Sequence, residues 1–264
     1  LSQQQLEQWR ERRLDKLDLA AVMIDGIHFR ERVILVALGI DTAGHKHILG
    51  LHEGSTEAAR VVRKLLSDLV ERGLDASRMR LWVIDGGKAL RRAIVELFGA
   101  TALVQRCQEH KRRNVIDHLP EGMHAGVNRS LRQAYDTKDP ALARRLLQRL
   151  LGSLQDSHPG AAASLREGLE DTLTAQELGL TGALYRTLRT TNPIENLNGL
   201  VAQYTRNVKR WKDGSMTLRW IASALVDASG RMRKLRGFAS MKDLLKALQR
   251  RAPADLVDTK RKAA

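Results

Sequence analysis

The sequence predicts an α/β fold built on a mixed five-stranded sheet with helices on both faces. Three strand candidates, at 20–29, 32–40 and 45–53, follow one another with very short links, so we expect antiparallel neighbours. Two more strand candidates, at 80–85 and 101–105, alternate with helical segments. An antiparallel meander followed by alternating strands and helices is typical of a mixed sheet that is covered on both sides.

The helical segments are predicted from the spacing of their apolar residues. In 55–74 these residues recur three or four positions apart, and Gly73 ends the pattern. Helices are predicted in the same way at 88–99 and at 109–119, the latter stopping before Pro120.

The chain divides into four predicted parts. Residues 1–19 form a helical lead-in, and 20–120 hold the five strands with their connecting helices. Strand signals vanish in 121–185, which therefore predicts an all-helical block that interrupts the α/β part. Residues 186–264 contain a closing amphipathic helix and a basic helical end.

The charge balance indicates a polyanionic partner. Forty-five basic residues face 30 acidic ones, for a formal net charge of +15. Nucleic acid is favoured over a membrane surface because the charge is spread along the chain and no apolar run is long enough to span a bilayer. The single cysteine, Cys107, excludes an internal disulfide and fits a cytoplasmic protein.

Two aspartates follow buried-looking apolar runs in the same way. "AAVMIDG" leads into Asp25 and "LWVIDGG" leads into Asp85. If the two strands are neighbours, their carboxylates converge, and a divalent cation such as Mg²⁺ or Mn²⁺ would relieve their repulsion. The alternative is that both are turn-forming aspartates at strand ends, which is common for Asp-Gly.

A third carboxylate lies on the closing helix. In "TTNPIENLNGLVAQYTRNVKRW" the apolar stripe includes Ile194 and Leu197, and Glu195 lies one residue off it. A carboxylate at the edge of a buried face can reach a metal. The alternative is a capping box, with Asn192 as the N-cap, Pro193 first in the helix and Glu195 third.

Together these segments resemble the mutator-type transposases of bacterial insertion sequences, which are DDE recombinases with a ribonuclease-H-like core. The resemblance is carried by "MIDGIHF", "VILVALGID", "HKHILGLHEGSTE", "VIDGGKALRRAI", "VQRCQEHKRRNVIDHLP" and "TTNPIENLNGLVAQYTRNVKRW", in that order. It implies that Asp25, Asp85 and Glu195 are the catalytic, metal-binding triad. It also aligns Cys107 and His110 with a Cys-x-x-His that the family carries.

The resemblance further implies a function. We expect cleavage of transposon ends and strand transfer into target DNA with Mg²⁺ or Mn²⁺, using two ions. We also expect at least a dimer on DNA, in the bacterial cytoplasm at the nucleoid. Only 19 residues precede the first strand, so we expect the family's N-terminal end-binding part to be missing. The alternatives are a stand-alone nuclease, in which Glu57 could join the site, and an inactive DNA-binding remnant.

Basic and accessory residues complete the prediction. Phosphate contacts are predicted at two basic clusters on helices. Cys107 and His110 have the spacing of half a zinc site without a second matching pair, so an orienting or packing role is preferred. The predicted DNA contacts are Lys111, Arg112, Arg113, Arg206, Lys209, Arg210 and Lys212, and the candidate accessory residues are Cys107, His110, Asn192 and Asn198.

Overall fold

A computed structural model describes residues 2–29, 32–54, 59–206, 208 and 214–252. It contains one five-stranded sheet in the order β3-β2-β1-β4-β5. The strands are β1 (Leu19–Phe29), β2 (Arg32–Asp41), β3 (Lys46–Gly54), β4 (Arg80–Ile84) and β5 (Ala102–Arg106).

The strand pairing is mixed, as predicted. β1 pairs antiparallel with β2, and β2 antiparallel with β3. β1 pairs in parallel with β4, and β4 in parallel with β5. An antiparallel meander joined to a parallel pair, with helices on both faces, is compatible with the ribonuclease-H-like fold and confirms the predicted fold class.

Helices occupy most of the remaining described residues. Between β5 and α10 the described chain forms helices and turns without a strand. The helices are α1 (Gln3–Glu11), α2 (Ala59–Glu71), α3 (Lys88–Phe98), α4 (Gln108–Ile116), α5 (Glu121–Asp136), α6 (Pro140–Leu154), α7 (Pro159–Arg166), α8 (Thr174–Glu177), α9 (Gly182–Leu188), α10 (Asn192–Thr205), α11 (Gly214–Ser229) and α12 (Met241–Arg251).

The two faces of the sheet form separate cores because side chains alternate along each strand. On β1, Val22 and Ile24 pack into the core that α2 and α3 cover. Ala21, Met23 and Ile27 pack into the opposite core, which α9 to α12 cover. Asp25 continues the second series, so the pleat directs its side chain toward the face that carries α10.

Only the first part of the helical segment after β5 has a hydrophobic core of its own. Residues of α4 to α7, including Leu131, Leu147 and Leu165, pack together in a third buried cluster. Leu184 and Leu188 of α9 instead join the core between the sheet and α10. The last part of the predicted helical block therefore belongs by packing to the sheet.

Two predicted helices differ from those observed. The apolar spacing of the closing helix continues in the sequence to Trp211 and predicts a helix of that length, whereas α10 ends at Thr205, and Trp211 lies outside the described residues. The lead-in is helical only from Gln3 to Glu11, where the Ser2 and Gln5 side chains form a capping box. Within the described parts of the chain, each helix is too short or too polar to cross a bilayer.

Candidate active site

Asp25 and Asp85 lie side by side at one level of the sheet. Ile24 of β1 is in register with Ile84 of β4, and each aspartate is the next residue of its chain. Neighbouring strands are about 4.8 Å apart, so the two Cα atoms are held close by backbone pairing alone. Both carboxylates line a cavity of about 160 Å³, and Asp85 Oδ1 accepts a hydrogen bond from the Gly87 N–H at 2.9 Å.

The next strand continues the same row with a cysteine. Arg106, the last residue of β5, is in register with Ile84. The N–H of Cys107 then donates to the carbonyl oxygen of Ile84 at 2.7 Å. Cys107 is fully buried and precedes α4, whose first turn carries His110. The row Asp25, Asp85, Cys107 thus runs across three adjacent strands, within β1 and just past the ends of β4 and β5.

Helix α10 brings two further side chains to this row. Asn198 Nδ2 donates to Asp25 Oδ2 at 2.8 Å. Glu195, three residues earlier on the same side of the helix, accepts a hydrogen bond from the Thr191 hydroxyl. Its Oε1 lies 3.7 Å from His110 Nδ1. Residues three apart in a helix share a face, so α10 faces the strand ends with Glu195 and Asn198 together.

Electrostatics link the carboxylates to one another. Burial and the neighbouring Asp85 raise the pKa of Asp25 to about 6, and Glu195 adds to this effect. The Gly26 N–H and His110 act in the opposite direction. A carboxyl group whose ionisation is opposed by two other carboxylates is the arrangement that a bound cation would relieve. The predicted triad of Asp25, Asp85 and Glu195 is thus linked electrostatically in the structure, and its role as a metal site stays a prediction.

A second, softer set of ligand atoms lies beside this triad. One ligand atom each from Cys107, His110 and Glu195 lies within 4.8 Å of the others. Burial raises the pKa of the Cys107 thiol, but hydrogen bonds from His110 and Thr191 outweigh it, so the net pKa lies below the usual value. The hydrogen bond with Cys107 raises the pKa of His110, which burial partly opposes.

Arg106 supports the turn that follows Asp85. Gly86 has a φ of 116°, and a Cβ atom there would lie 2.1 Å from Arg106 Nε. The Arg106 guanidinium donates to the carbonyl oxygen of Glu167 at 2.8 Å, so it connects this turn to the segment after α7. Gly86 is required here for both its backbone conformation and the closeness of Arg106.

The sequence was then compared with known proteins. The profile of the mutator family of transposases matches residues 2–233. This chain belongs to the mutator family of transposases. The family prediction made from the sequence is therefore confirmed.

Curated relatives of this mutator-family chain are transposases of insertion sequences. The transposase for IS6120 of Mycolicibacterium smegmatis is 29% identical over 204 residues, which are 75% of this chain and 62% of the relative. The transposase for ISRM5 of Rhizobium meliloti (strain 1021) is 29% identical over 213 residues, 81% of this chain and 52% of the relative. The transposase for IS256 in transposon Tn4001 of Staphylococcus aureus is 27% identical over 232 residues, 84% and 58% respectively. The chain thus spans between 52% and 62% of the length of these relatives.

The predicted DNA contacts of this mutator-family chain fall into four groups, of which Lys111 is treated separately below. Arg112 is half-buried and bonded to Glu109 and Asn128, whereas Arg113 and Arg206 are exposed. Lys209, Arg210 and Lys212 lie outside the described residues, as does the rival acid Glu57.

Lys111 differs from the other predicted contacts because it is fully buried. Its ammonium donates to the carbonyl oxygens of Ser164 and Glu167, and burial lowers its pKa to about 8. The prediction that Lys111 contacts a phosphate is corrected here, since the side chain joins α4 to α7 inside the protein. The helical spacing of "HKRRN" did not show which of its bases faces inward.

Sequence reasoning also missed Thr191 and misplaced the helix start. The helix begins at Asn192 with Thr191 as N-cap, and neither the capping box at Asn192 nor a side-chain cap at Thr191 is observed. Asn192 is exposed, and its backbone N–H faces the Thr190 hydroxyl at 3.4 Å. The pair Thr190-Thr191 before Asn-Pro was the available signal, since hydroxyl side chains gather at helix starts.

Proposed function

We propose that this chain carries the catalytic core of a DDE transposase, which cleaves the ends of an insertion sequence and transfers them to target DNA. The observation that supports this most is that Asp25 and Asp85 follow paired positions of two neighbouring strands, while α10 reaches Asp25 through Asn198, three residues after Glu195. Family membership gives the reaction class, and the mutual effect of these carboxylates gives the site its chemistry.

The residues at this edge fit a divalent metal site. Three carboxylates supply the hard oxygen ligands that Mg²⁺ and Mn²⁺ prefer. In addition, Asn198, whose Nδ2 bonds to Asp25, has an Oδ1 atom that is buried without a hydrogen-bond partner among the described residues. When bound, two such ions would activate the attacking oxygen and stabilise the leaving 3′-oxygen of the DNA strand.

The protein itself prepares this site in three ways. Backbone pairing of β1 with β4 holds Asp25 beside Asp85. The Asn198 amide donates to Asp25 Oδ2 and so directs the Asp25 carboxylate. The Thr191 hydroxyl occupies an oxygen of Glu195 and so restricts the rotation of that carboxylate. Ligands held in advance need little rearrangement when the phosphodiester arrives.

The positive charge supports DNA as the substrate. With a formal net charge of +15, the chain attracts the phosphate backbone over a Debye length in physiological salt. We assign phosphate contacts to Arg112, Arg113 and Arg206, and keep those of Lys209, Arg210 and Lys212 as predictions. Such contacts position DNA without reading its sequence. At least two copies would act together on the two ends of the element, in the cytoplasm at the nucleoid.

A cleavage and strand-transfer assay tests this function. Purified protein would be incubated with Mg²⁺ or Mn²⁺ and labelled duplexes taken from either side of the coding sequence, together with a supercoiled target plasmid. We expect metal-dependent nicking and joining that Asp85→Asn lowers by about 10³-fold or more, the scale of losing a preorganised charged group. Asp156→Asn, an exposed acid in the helical segment, is the matched control.

The outcomes separate the candidate functions. Nicking without joining, lost in Asp85→Asn, would replace the proposal by a nuclease. DNA binding with no metal-dependent reaction in the wild type would overturn it in favour of a binding remnant. Because the chain spans 52% to 62% of its relatives, the same assay would be repeated with a longer chain from the same gene wherever the reading frame extends.

A further inference from the structure

A mostly buried network of side chains lies next to Glu195. Its members are Cys107, His110 and Thr191, named here the Glu195 support. They come from the end of β5, from α4 and from the N-cap of α10. Cys107 and Thr191 are both fully buried, whereas His110 is half-buried.

Thr191 is the centre of this network. Its N–H donates to Cys107 Sγ at 3.5 Å, and its carbonyl oxygen accepts from the Glu195 N–H at 3.0 Å. Its hydroxyl bonds to the Glu195 carboxylate and lies 3.3 Å from His110 Nδ1. An N-cap threonine usually accepts from the helix N–H groups with this hydroxyl, but no such bond is present. The hydroxyl is committed to Glu195 instead.

The hydrogen positions follow from the chemistry of the partners. An ionised carboxylate only accepts, so the single Thr191 hydroxyl proton goes to Glu195. The contact with His110 then requires Nδ1–H to donate to the Thr191 oxygen. This gives a chain from His110 through Thr191 to Glu195, in which each bond polarises the next.

Cys107 connects this chain to the sheet edge. Its own N–H is bonded to Ile84 of β4, directly before Asp85, while its sulfur accepts from Thr191. A second bond, from the Gln108 N–H to the carbonyl oxygen of Arg189 at 3.0 Å, fastens the same two segments. The start of α10 is therefore fixed relative to the strand ends that carry the aspartates.

We propose that Cys107, His110 and Thr191 position Glu195, holding its carboxylate at the distance and orientation at which it completes the metal site with Asp25 and Asp85. None of the three touches the DNA or the metal in this role. The inference rests on the proposed function, because it requires Glu195 to be a metal ligand. It explains why a histidine, a thiol and a hydroxyl are gathered on the side of Glu195 away from the solvent.

The test measures metal binding as well as the reaction. Thr191→Val keeps the shape of the side chain but removes the hydroxyl, and Thr191→Ser restores it. We expect Thr191→Val to weaken Mn²⁺ binding, followed by electron paramagnetic resonance, by about 10- to 100-fold, the usual effect of removing a group that supports a metal ligand. Thr191→Ser should bind within about threefold of the wild type by the same reasoning. Thr181→Val, an exposed N-cap threonine of α9 that makes no capping bond, is the matched control.

The reaction gives a second readout that a purely structural role would not move. In Thr191→Val the Mn²⁺ concentration for half-maximal nicking should rise, and the rate should recover at high Mn²⁺. If Thr191→Val does not fold, as judged by circular dichroism, His110→Gln serves in its place, since His110 is half-buried and accepts substitution more readily. Unchanged Mn²⁺ binding in the folded variant would overturn the inference.

Mn²⁺ binding by Glu195→Gln separates failure of the proposed function from failure of this inference. If Glu195→Gln binds Mn²⁺ as tightly as the wild type, Glu195 is not a ligand and the proposed function itself fails. If Glu195→Gln binds Mn²⁺ more weakly than the wild type while Thr191→Val binds it equally well, Glu195 is a ligand. Only the positioning role of Cys107, His110 and Thr191 is then wrong. Cys107, His110 and Glu195 could instead bind a soft metal ion themselves, and Co²⁺ titration tests this alternative. A thiolate-to-cobalt absorption band that disappears in Cys107→Ser would overturn the inference, because the metal would then replace the hydrogen bonds of this network.

Discussion

Strands β1 and β4 place Asp25 and Asp85 with their backbones, whereas α10 places Glu195 with side-chain hydrogen bonds. The strand pair is fixed by the parallel register of Ile24 with Ile84, which is independent of what the aspartates themselves contact. Glu195 lies on a different element and depends on Thr191 and His110 for its orientation. Backbone pairing thus fixes the two aspartates more firmly than side-chain hydrogen bonds fix the Glu195 carboxylate.

The difference shows where each carboxylate is vulnerable. Neighbouring strands force two like charges together whether or not a cation is present, so the strand side of the site stores repulsion. The helix side can relax, because a glutamate side chain has several rotatable bonds and the Glu195 carboxylate is held by side-chain contacts rather than by backbone pairing. Substitutions on the two sides should therefore differ in kind, with stability affected on the first and metal affinity on the second.

The largest expected effect tests the cost of burying an ionised Asp25 carboxylate beside Asp85. In the absence of divalent ions, Asp25→Asn should raise the free energy of unfolding at pH 8. The folded pKa of Asp25 is about 6 against an ordinary 3.8. At about 1.36 kcal/mol per pKa unit, ionised Asp25 costs the folded state up to about 3 kcal/mol above pH 6.

The sign of the pH dependence follows from the raised pKa. As pH falls from about 6 toward 3.8, Asp25 takes up a proton in the folded protein first, so the wild type recovers stability relative to the variant. Urea unfolding at pH 8 and pH 4.5 measures the difference, with Asp156→Asn as control. An Asp25→Asn protein that is less stable than the wild type at pH 8 would contradict the backbone-forced pairing.

The next largest effect is expected from a substitution in the turn that follows Asp85. Gly86→Ala would place a methyl group 2.1 Å from Arg106 Nε at a φ of 116°. We expect it to lower the free energy of unfolding by about 2 kcal/mol or more, from backbone strain and displacement of a buried arginine. Gly99→Ala is the matched control, because its φ is also positive but nothing lies within 4 Å of the added Cβ. An equal decrease in the free energy of unfolding in both variants would show that the contact with Arg106 does not contribute to the loss.

A smaller effect is expected from removing the hydrogen bond between α10 and Asp25. Asn198→Ala removes the only hydrogen bond from α10 to Asp25 among the described contacts. We expect metal-dependent nicking to fall about tenfold at limiting Mn²⁺ and to recover in part at saturation, since the loss concerns ligand orientation. Asn114→Ala, on an exposed position of α4, should react like the wild type. A loss that saturating Mn²⁺ does not reduce would point to a direct contact of Asn198 with DNA.

The smallest effect compares two neighbouring bases of α4. Arg113 is exposed and Lys111 is fully buried. Arg113→Gln should reduce the dependence of log K on log salt by about 0.9, the contribution of one phosphate contact. Lys111→Met should leave this slope unchanged while lowering stability. Fluorescence anisotropy on a labelled duplex at several salt concentrations measures both, and a reduced slope in Lys111→Met would restore it as a DNA contact.

Much of the site could be predicted because its aspartates are tied to local patterns. An uninterrupted apolar strand that ends in Asp-Gly predicts a carboxylate at a strand end, as found for Asp85. Asp25 instead lies within β1, and the pleat rather than the strand end sets its direction. Glu195 was found on the flank of an amphipathic stripe, yet the same spacing fitted a capping box equally well. The observed start of α10 has no side-chain cap, which excludes the capping box, and the catalytic role of Glu195 stays a prediction.

The sequence by itself determined the order of strands and helices and the mixed sheet, because periodicity and strand-end residues act over a few neighbouring positions. The family followed separately, from the resemblance of six ordered segments to the mutator-type transposases. Only the tertiary structure decided that Lys111 faces inward, that Arg106 passes over Gly86, and that Thr191 supports Glu195. Each of these depends on contacts between segments far apart in the chain, such as Lys111 with Ser164 and Thr191 with Cys107. Local spacing carries no information on which distant segment will pack against a given side chain, so these roles appear only once the fold has closed.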